Sequence, residues 1–226
     1  MTGERSEPQL HRLTTPHTAA VVGIVFAVLF ATSIVLIRQA IPADPFGSTE
    51  WLDAGRSRLT VALTLAQFAC IAFLWFIGAL RHRLGDLEDQ FFSTVFVGSG
   101  LLFLALILVT MASAGGLLLA DRAEAVPAQE SAAFAHALIL QISNVYSIRM
   151  AAVFMISLAT IWLRTGLMPR WLVLPTYLLA LVLLFAVTEA LWLTLVFPAW
   201  VIVISVFLLT HARQAFPPRR AFRPRT

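Results

Sequence analysis

Residues 91–120 read FFSTVFVGSGLLFLALILVTMASAGGLLLA, and not one of them is charged. Crossing a hydrocarbon core of about 30 Å takes about 20 mostly apolar residues. Lipid offers no hydrogen bonds to the backbone, so a lone apolar run of this length must close its amides on itself as a helix. The stretch therefore predicts a membrane-spanning helix, long enough to tilt or to project beyond the bilayer. Asp121 stops it.

Working outward, five more apolar runs have the same character. They cover residues 19–37, stopped by Arg38; 59–80, stopped by Arg81; 145–163, stopped by Arg164; 171–187; and 190–210, followed by an Arg-rich tail. Only Thr188 and Glu189 separate the last two, which predicts a tight antiparallel hairpin. The alternating pattern of a membrane β-barrel is absent. The expected fold is all-α: a polytopic transmembrane helical bundle of about six spans. Residues 1–18 read as a disordered cytoplasmic N-terminus, with Pro8 and Pro16 opposing a helix. Residues 19–210 form the bundle and 211–226 an Arg-rich cytoplasmic tail. The first run is longer than the 7–15 residues of a signal-peptide core and no clear cleavage site follows, so it reads as a retained span.

Composition agrees. The chain is 59% hydrophobic and 12% charged, against about 25% charged in soluble domains. Its mean hydropathy is +0.85. All 16 basic residues are Arg, scattered between apolar runs rather than gathered on one face, so a nucleic-acid partner is not expected. Cys70 is the one cysteine and cannot form an intramolecular disulfide.

Arg placement sets the expected orientation. With the N-terminus inside, eleven Arg residues fall on the inner side and five (Arg38, Arg56, Arg58, Arg122 and Arg149) on the outer side. This N-in, C-in reading depends on the tail, and Arg56 and Arg58 violate it locally. Trp75, Trp162 and Trp171 would mark the inner interface, and Tyr146 and Trp192 the outer one. Trp200 falls mid-span and is expected to pack between helices. In the loop at 39–58, Ser48 or Thr49 would cap a short helix that stops at Gly55 and lays Trp51 and Leu52 on the membrane surface. Residues 131–143 read as a helix that runs into the fourth span.

A few polar residues in these runs are costly enough to examine. Arg149 lies inside the fourth span, where a charge costs at least ~2.5–3.5 kcal/mol at mid-depth and less near the interface. Glu189 comes within about one helical turn of the same depth. The two are expected to pair, with Gln141 or Asn144 adding hydrogen bonds; the alternative is that Arg149 snorkels to the headgroups. Gln67 lies near the midplane and should seek a hydrogen-bond partner on another helix. Asp86, Glu88 and Asp89 lack a metal-loop pattern and read as caps favouring the positive end of the next helix. His11, His17, His82, His136 and His211 lie outside the spans or at their edges, which excludes a haem held by two axial histidines within the bundle. No cofactor, metal or hydrolase motif is present.

Gly23, Ala27 and Ala31 on the first span, and Ala62, Ala66 and Cys70 on the second, form small-residue stripes that let helices approach closely. They suit packing within the chain, or a homo-oligomer. Pro175 and Pro198 should kink their spans. The tail residues Arg213, Arg219, Arg220, Arg223 and Arg225 hold the C-terminus inside and could also bind anionic lipid.

The stretch RMAAVFMIS from Arg149, IWLRTG from Ile161 and PRWL from Pro169 resembles a group of uncharacterised bacterial membrane proteins, chiefly actinobacterial, that share a domain of unknown function. The resemblance covers the fourth and fifth spans best. It implies a multi-pass protein of the bacterial plasma (inner) membrane and supplies no activity. A non-enzymatic bundle that packs with itself or a partner comes first among the functions. A small-solute or ion transporter built on the kinked spans comes second. A membrane-embedded enzyme comes last, because no paired catalytic groups share a depth.

Overall fold

The computed structural model describes residues 15–40, 50–84, 90–122, 128–166, 168–185 and 191–210. The chain is a helical membrane bundle. Its elements are α1 (Thr15–Ala40), α2 (Glu50–Leu84), α3 (Gln90–Arg122), α4 (Ala128–Gln141), a π-helical turn (Ile142–Ser147), α5 (Ile148–Thr165), α6 (Arg170–Phe185) and α7 (Leu191–Thr210). Helix α4, the π turn and α5 run end to end, so these elements make six rods. Among the described residues, five segments are long and apolar enough to cross a membrane. Helix α6, with 16 residues, is about 24 Å long. The acidic cluster at Asp86, Glu88 and Asp89, both chain ends, and Glu189 lie outside the described residues.

The outer surface is what lipid requires. Phe68, Leu102, Leu178 and Phe185 are all more than half exposed, a surface that soluble monomers do not present. Inside, aromatic rings do the packing. The Phe73 ring lies 4.6 Å from Phe26, 5.3 Å from Phe103, 5.3 Å from Phe154 and 5.7 Å from Phe197, joining α1, α2, α3, α5 and α7 at one point. Such offset and edge-on pairs add attraction beyond area burial.

The small-residue stripes serve packing within the chain. Ala62 and Ala66 are fully buried, and Ser33 Oγ donates to the Ala62 carbonyl at 2.8 Å across the α1–α2 contact. A Cβ on Gly23 would overlap Ser205 Oγ and come within 2.8 Å of the Phe76 ring. The start of α1 therefore lies against the end of α7, and the two helices are antiparallel.

Three expectations are corrected. The short surface helix in the 39–58 loop does not end at Gly55: α2 begins at Glu50 and continues through to Leu84. Gly55 is buried, and a Cβ there would sit 2.7 Å from the Ala40 carbonyl oxygen. It is a close-approach glycine where α1 ends, which its spacing from Ser48 could not reveal. Second, Trp75 and Trp171 are each 66% exposed and Tyr146 is 51% exposed, but Trp162, expected at the inner interface, is only 2% exposed. It turns inward beside Trp200, with 6.3 Å between rings. Third, α6 and α7 are antiparallel neighbours, with the Trp171 ring 6.1 Å from Phe207, but among the described residues their main chains do not approach closely. Helix α6 lies along α5 and α7 along α1. Trp200 Nε1 bridges the seam by donating to Thr176 Oγ1 at 3.1 Å. Pairing across the α5–α6 contact is direct, with Thr160 Oγ1 and Tyr177 Oη 2.7 Å apart.

Candidate functional site

A cavity of about 290 Å³ opens in one half of the bundle, enclosed by α1, α3, the α4–π–α5 rod, α6 and α7. Phe30, Phe103 and Phe197 bound its deep end. These rings belong to the aromatic core, with Phe103 and Phe197 4.9 Å apart. Ile107, Met111 and Ile139 line its sides. Toward the other end the lining becomes polar, with Arg38, His136, Ser143, Asn144 and Thr194.

The polar end is built by a local departure from α geometry. Residues 142–147 form a π turn, and the Ser147 hydroxyl donates to the Ile142 carbonyl five residues back at 2.9 Å. Ser143, Asn144 and Ser147 of this turn all lie in the cavity wall. Such single-turn widenings recur at functional sites.

Asn144 is the centre of the arrangement. It is 8% exposed. Arg38 Nη2 donates to its Oδ1 at 3.4 Å, and the one Ser143 hydroxyl proton has two acceptors at 3.4 Å, the same oxygen and the Leu140 carbonyl. Guanidinium has donors only, so the atom facing it must be the amide oxygen. That fixes the amide orientation and leaves Nδ2, which is buried without a hydrogen-bond partner. An unmet buried donor costs about 1–3 kcal/mol. The hydroxyls of Thr110 and Ser147 already donate to the carbonyls of Leu106 and Ile142 at 2.9 Å each. The cavity therefore holds an unspent N–H and a guanidinium at one end and aromatic rings at the other.

The residues singled out from sequence separate here. Asn144 lies in the cavity, but it takes Arg38 and not Arg149. Arg149 is half-buried on α5 and is not part of the lining. Its expected partner Glu189 lies outside the described residues. Gln67 is exposed on the outer face of α2, away from the neighbouring helices of its own chain. Sequence reasoning missed Arg38, treated as the end of a span, and His136, treated as an edge residue although it is only 9% exposed. A signal was present: His136, Ser143, Asn144 and Ser147 recur at helical spacing along one face of an apolar rod. A polar stripe on a helix in lipid must turn toward the bundle interior.

Among the described residues, no three His, Cys, Asp or Glu side chains gather to hold a metal ion. No family model, curated protein or solved structure matches the chain.

Proposed function

We propose that the chain is a non-enzymatic, multi-pass binding protein that takes a small, largely apolar molecule into the cavity between α1, α3, α5 and α7. The observation that carries this reading is the pairing of an apolar cavity with a buried, unmet amide donor at Asn144. A pocket with mostly apolar walls and a few placed polar groups is the usual form of a small-molecule site, and 290 Å³ stands at the small end of the ordinary range, about 300–1,000 Å³. The distribution of Arg supports an N-in, C-in topology, which places the cavity in the outer half of the bilayer. The resemblance noted for the fourth and fifth spans supports a bacterial plasma membrane. The Arg-rich tail suits anionic lipid on the inner face.

The test is binding of an uncharged environment-sensitive dye, N-phenyl-1-naphthylamine, to the full chain in detergent. Wild type should give a saturable signal. Ala114→Phe and Ala151→Phe, which fill the cavity from α3 and α5, should each weaken it at least about tenfold. Unsaturable binding, or equal binding by the filled variants, contradicts the reading.

Transport is the second reading. It is favoured by the seam between α6 and α7, crossed by the Trp200–Thr176 hydrogen bond and the Trp171–Phe207 ring contact, through which a lipid-soluble molecule could reach the cavity.

A further inference from the structure

We infer that a second copy of this chain packs against the outer face of α2, with the Gln67 amides of the two copies paired on a two-fold axis along the membrane normal.

The face is defined by period as well as by exposure. Thr60, Thr64, Gln67, Ile71, Leu74 and Gly78 are all exposed in the single bundle. They recur at alternating intervals of four and three, the repeat that keeps one seam of a helix turned toward a partner helix. From Thr60 to Gly78 the seam is about 27 Å long, close to the full thickness of the hydrocarbon core, about 30 Å. The contacts of α2 with α1 and α3 use other residues, the buried Ala62, Ala66 and Phe73 among them. A Cβ on Gly78 would meet nothing within 4 Å, so the chain itself does not require glycine there. Glycine weakens a helix interior, and what it offers in lipid is close approach of another helix.

Gln67 names the occupant. Its amide meets no partner among the described residues. Arg58 and Arg81, which flank it on α2, are nine and fourteen residues away, about 14 Å and 21 Å. The side chain is too short to reach either headgroup layer, and an acyl chain offers it neither donor nor acceptor. Its partner must come from a helix at the same depth, and must both accept and donate. A second Gln67 does both. All copies insert in one orientation, so two α2 helices meet in parallel. In a two-fold contact each seam residue then faces its own counterpart, and the two amides exchange reciprocal N–H···O=C bonds. The threonine hydroxyls are already used within α2: Thr60 Oγ1 donates to the Arg56 carbonyl at 2.9 Å and Thr64 Oγ1 to the Thr60 carbonyl at 3.0 Å. That leaves the Gln67 amide as the group that fixes register, the role a single polar residue plays in an apolar helical seam.

The experiment is energy transfer between copies of the full chain in phospholipid vesicles. The chain has no Lys, so amine-reactive donor and acceptor dyes attach at its α-amine alone. Wild type should show transfer that saturates as the protein-to-lipid ratio rises and that excess unlabelled chain abolishes. Gln67→Leu should weaken association at least about fivefold, as expected for two hydrogen bonds between membrane helices, with its circular dichroism unchanged. Gln67→Asn keeps the amide and should stay within about threefold of wild type. Leu178→Ala, on the exposed face of α6, should match wild type. In a Cys70→Ala background, Thr64→Cys and Ile71→Cys should each form a disulfide between copies under mild oxidation, and Leu178→Cys should not. A wild-type chain that stays monomeric at the highest protein-to-lipid ratio overturns the inference, because lipid or a different protein then covers the face. Association that Gln67→Leu leaves unchanged also overturns it, as does cross-linking through Leu178→Cys equal to that through Thr64→Cys.

Discussion

Arg38, at the end of the first helix, and Asn144, on a π turn in the fourth rod, meet across the bundle with 3.4 Å between Nη2 and Oδ1. The contact closes one end of the cavity and fixes which end of the amide faces inward. It predicts opposite behaviour for two small substitutions. Asn144→Asp places a carboxylate against Arg38 and removes the orphan N–H, so thermal stability in detergent should hold or rise. Asn144→Leu removes the orphan donor as well but leaves Arg38 without this acceptor. It should therefore melt below Asn144→Asp. The reverse order of melting temperatures would mean that Asn144 does not partner Arg38.

Phe73 is the hub of the aromatic core, and Phe68 on the same helix faces outward at 58% exposure. Phe73→Ala should cost about 3–5 kcal/mol, the range for a buried ring whose cavity cannot collapse. Phe68→Ala should change stability by less than about 0.5 kcal/mol, as surface substitutions usually do. Reversible unfolding by denaturing detergent measures both. Similar losses at the two positions would place Phe68 in a contact that the single bundle does not contain.

Gly23→Ala puts a methyl group into Ser205 Oγ and against Phe76. Overpacking of this kind costs about 1–3 kcal/mol. Ser205→Ala removes the overlapping atom, and it also removes a hydroxyl that is buried without a partner. Alone it should be neutral or stabilising, and in the Gly23→Ala background it should recover part of the loss. Strict additivity of the two changes would show that α1 and α7 do not meet there.

Trp200→Phe deletes the bond that bridges the α6–α7 seam. Hydrogen bonds between membrane helices average about 0.6 kcal/mol and reach about 1.7. Thr176→Val should cost a similar amount. Because the residues are partners, the double variant should cost less than the two singles together. Full additivity in the unfolding assay would break the assigned pair.

The helical frame was legible because the bilayer imposes it. Each apolar run of about 20 residues maps onto one rod, and the continuation of residues 131–143 into the fourth span was read correctly from unbroken apolar periodicity. What the sequence did not disclose depends on contacts between distant segments. Gly55 looks like a helix stop until the Ala40 carbonyl is seen beside it. Trp162 has the depth of an interfacial residue, but its direction is set by Trp200, 38 positions later. Arg38 reads as the charge that ends a span, and only the path of the fourth rod brings Asn144 to it. The π turn has no composition of its own: Ile142–Ser147 differs from ordinary helix by one extra residue in the turn. Arg149 drew attention as a lone charge, yet the face it occupies lies off the cavity.

The most direct test of the account uses the tryptophans as depth markers. Two single-tryptophan versions of the full chain would retain either Trp200, 6.0 Å from the cavity residue Phe197, or lipid-facing Trp171, with the remaining tryptophans replaced by Phe. Each would be titrated in vesicles with decanol brominated at its chain end. The account predicts that Trp200 fluorescence is quenched saturably, at about one molecule per chain, and that Asn144→Leu abolishes the saturation, while Trp171 is quenched only in proportion to the bromine dissolved in the bilayer. Proportional quenching at both sites, or saturable quenching at Trp171 alone, would contradict it.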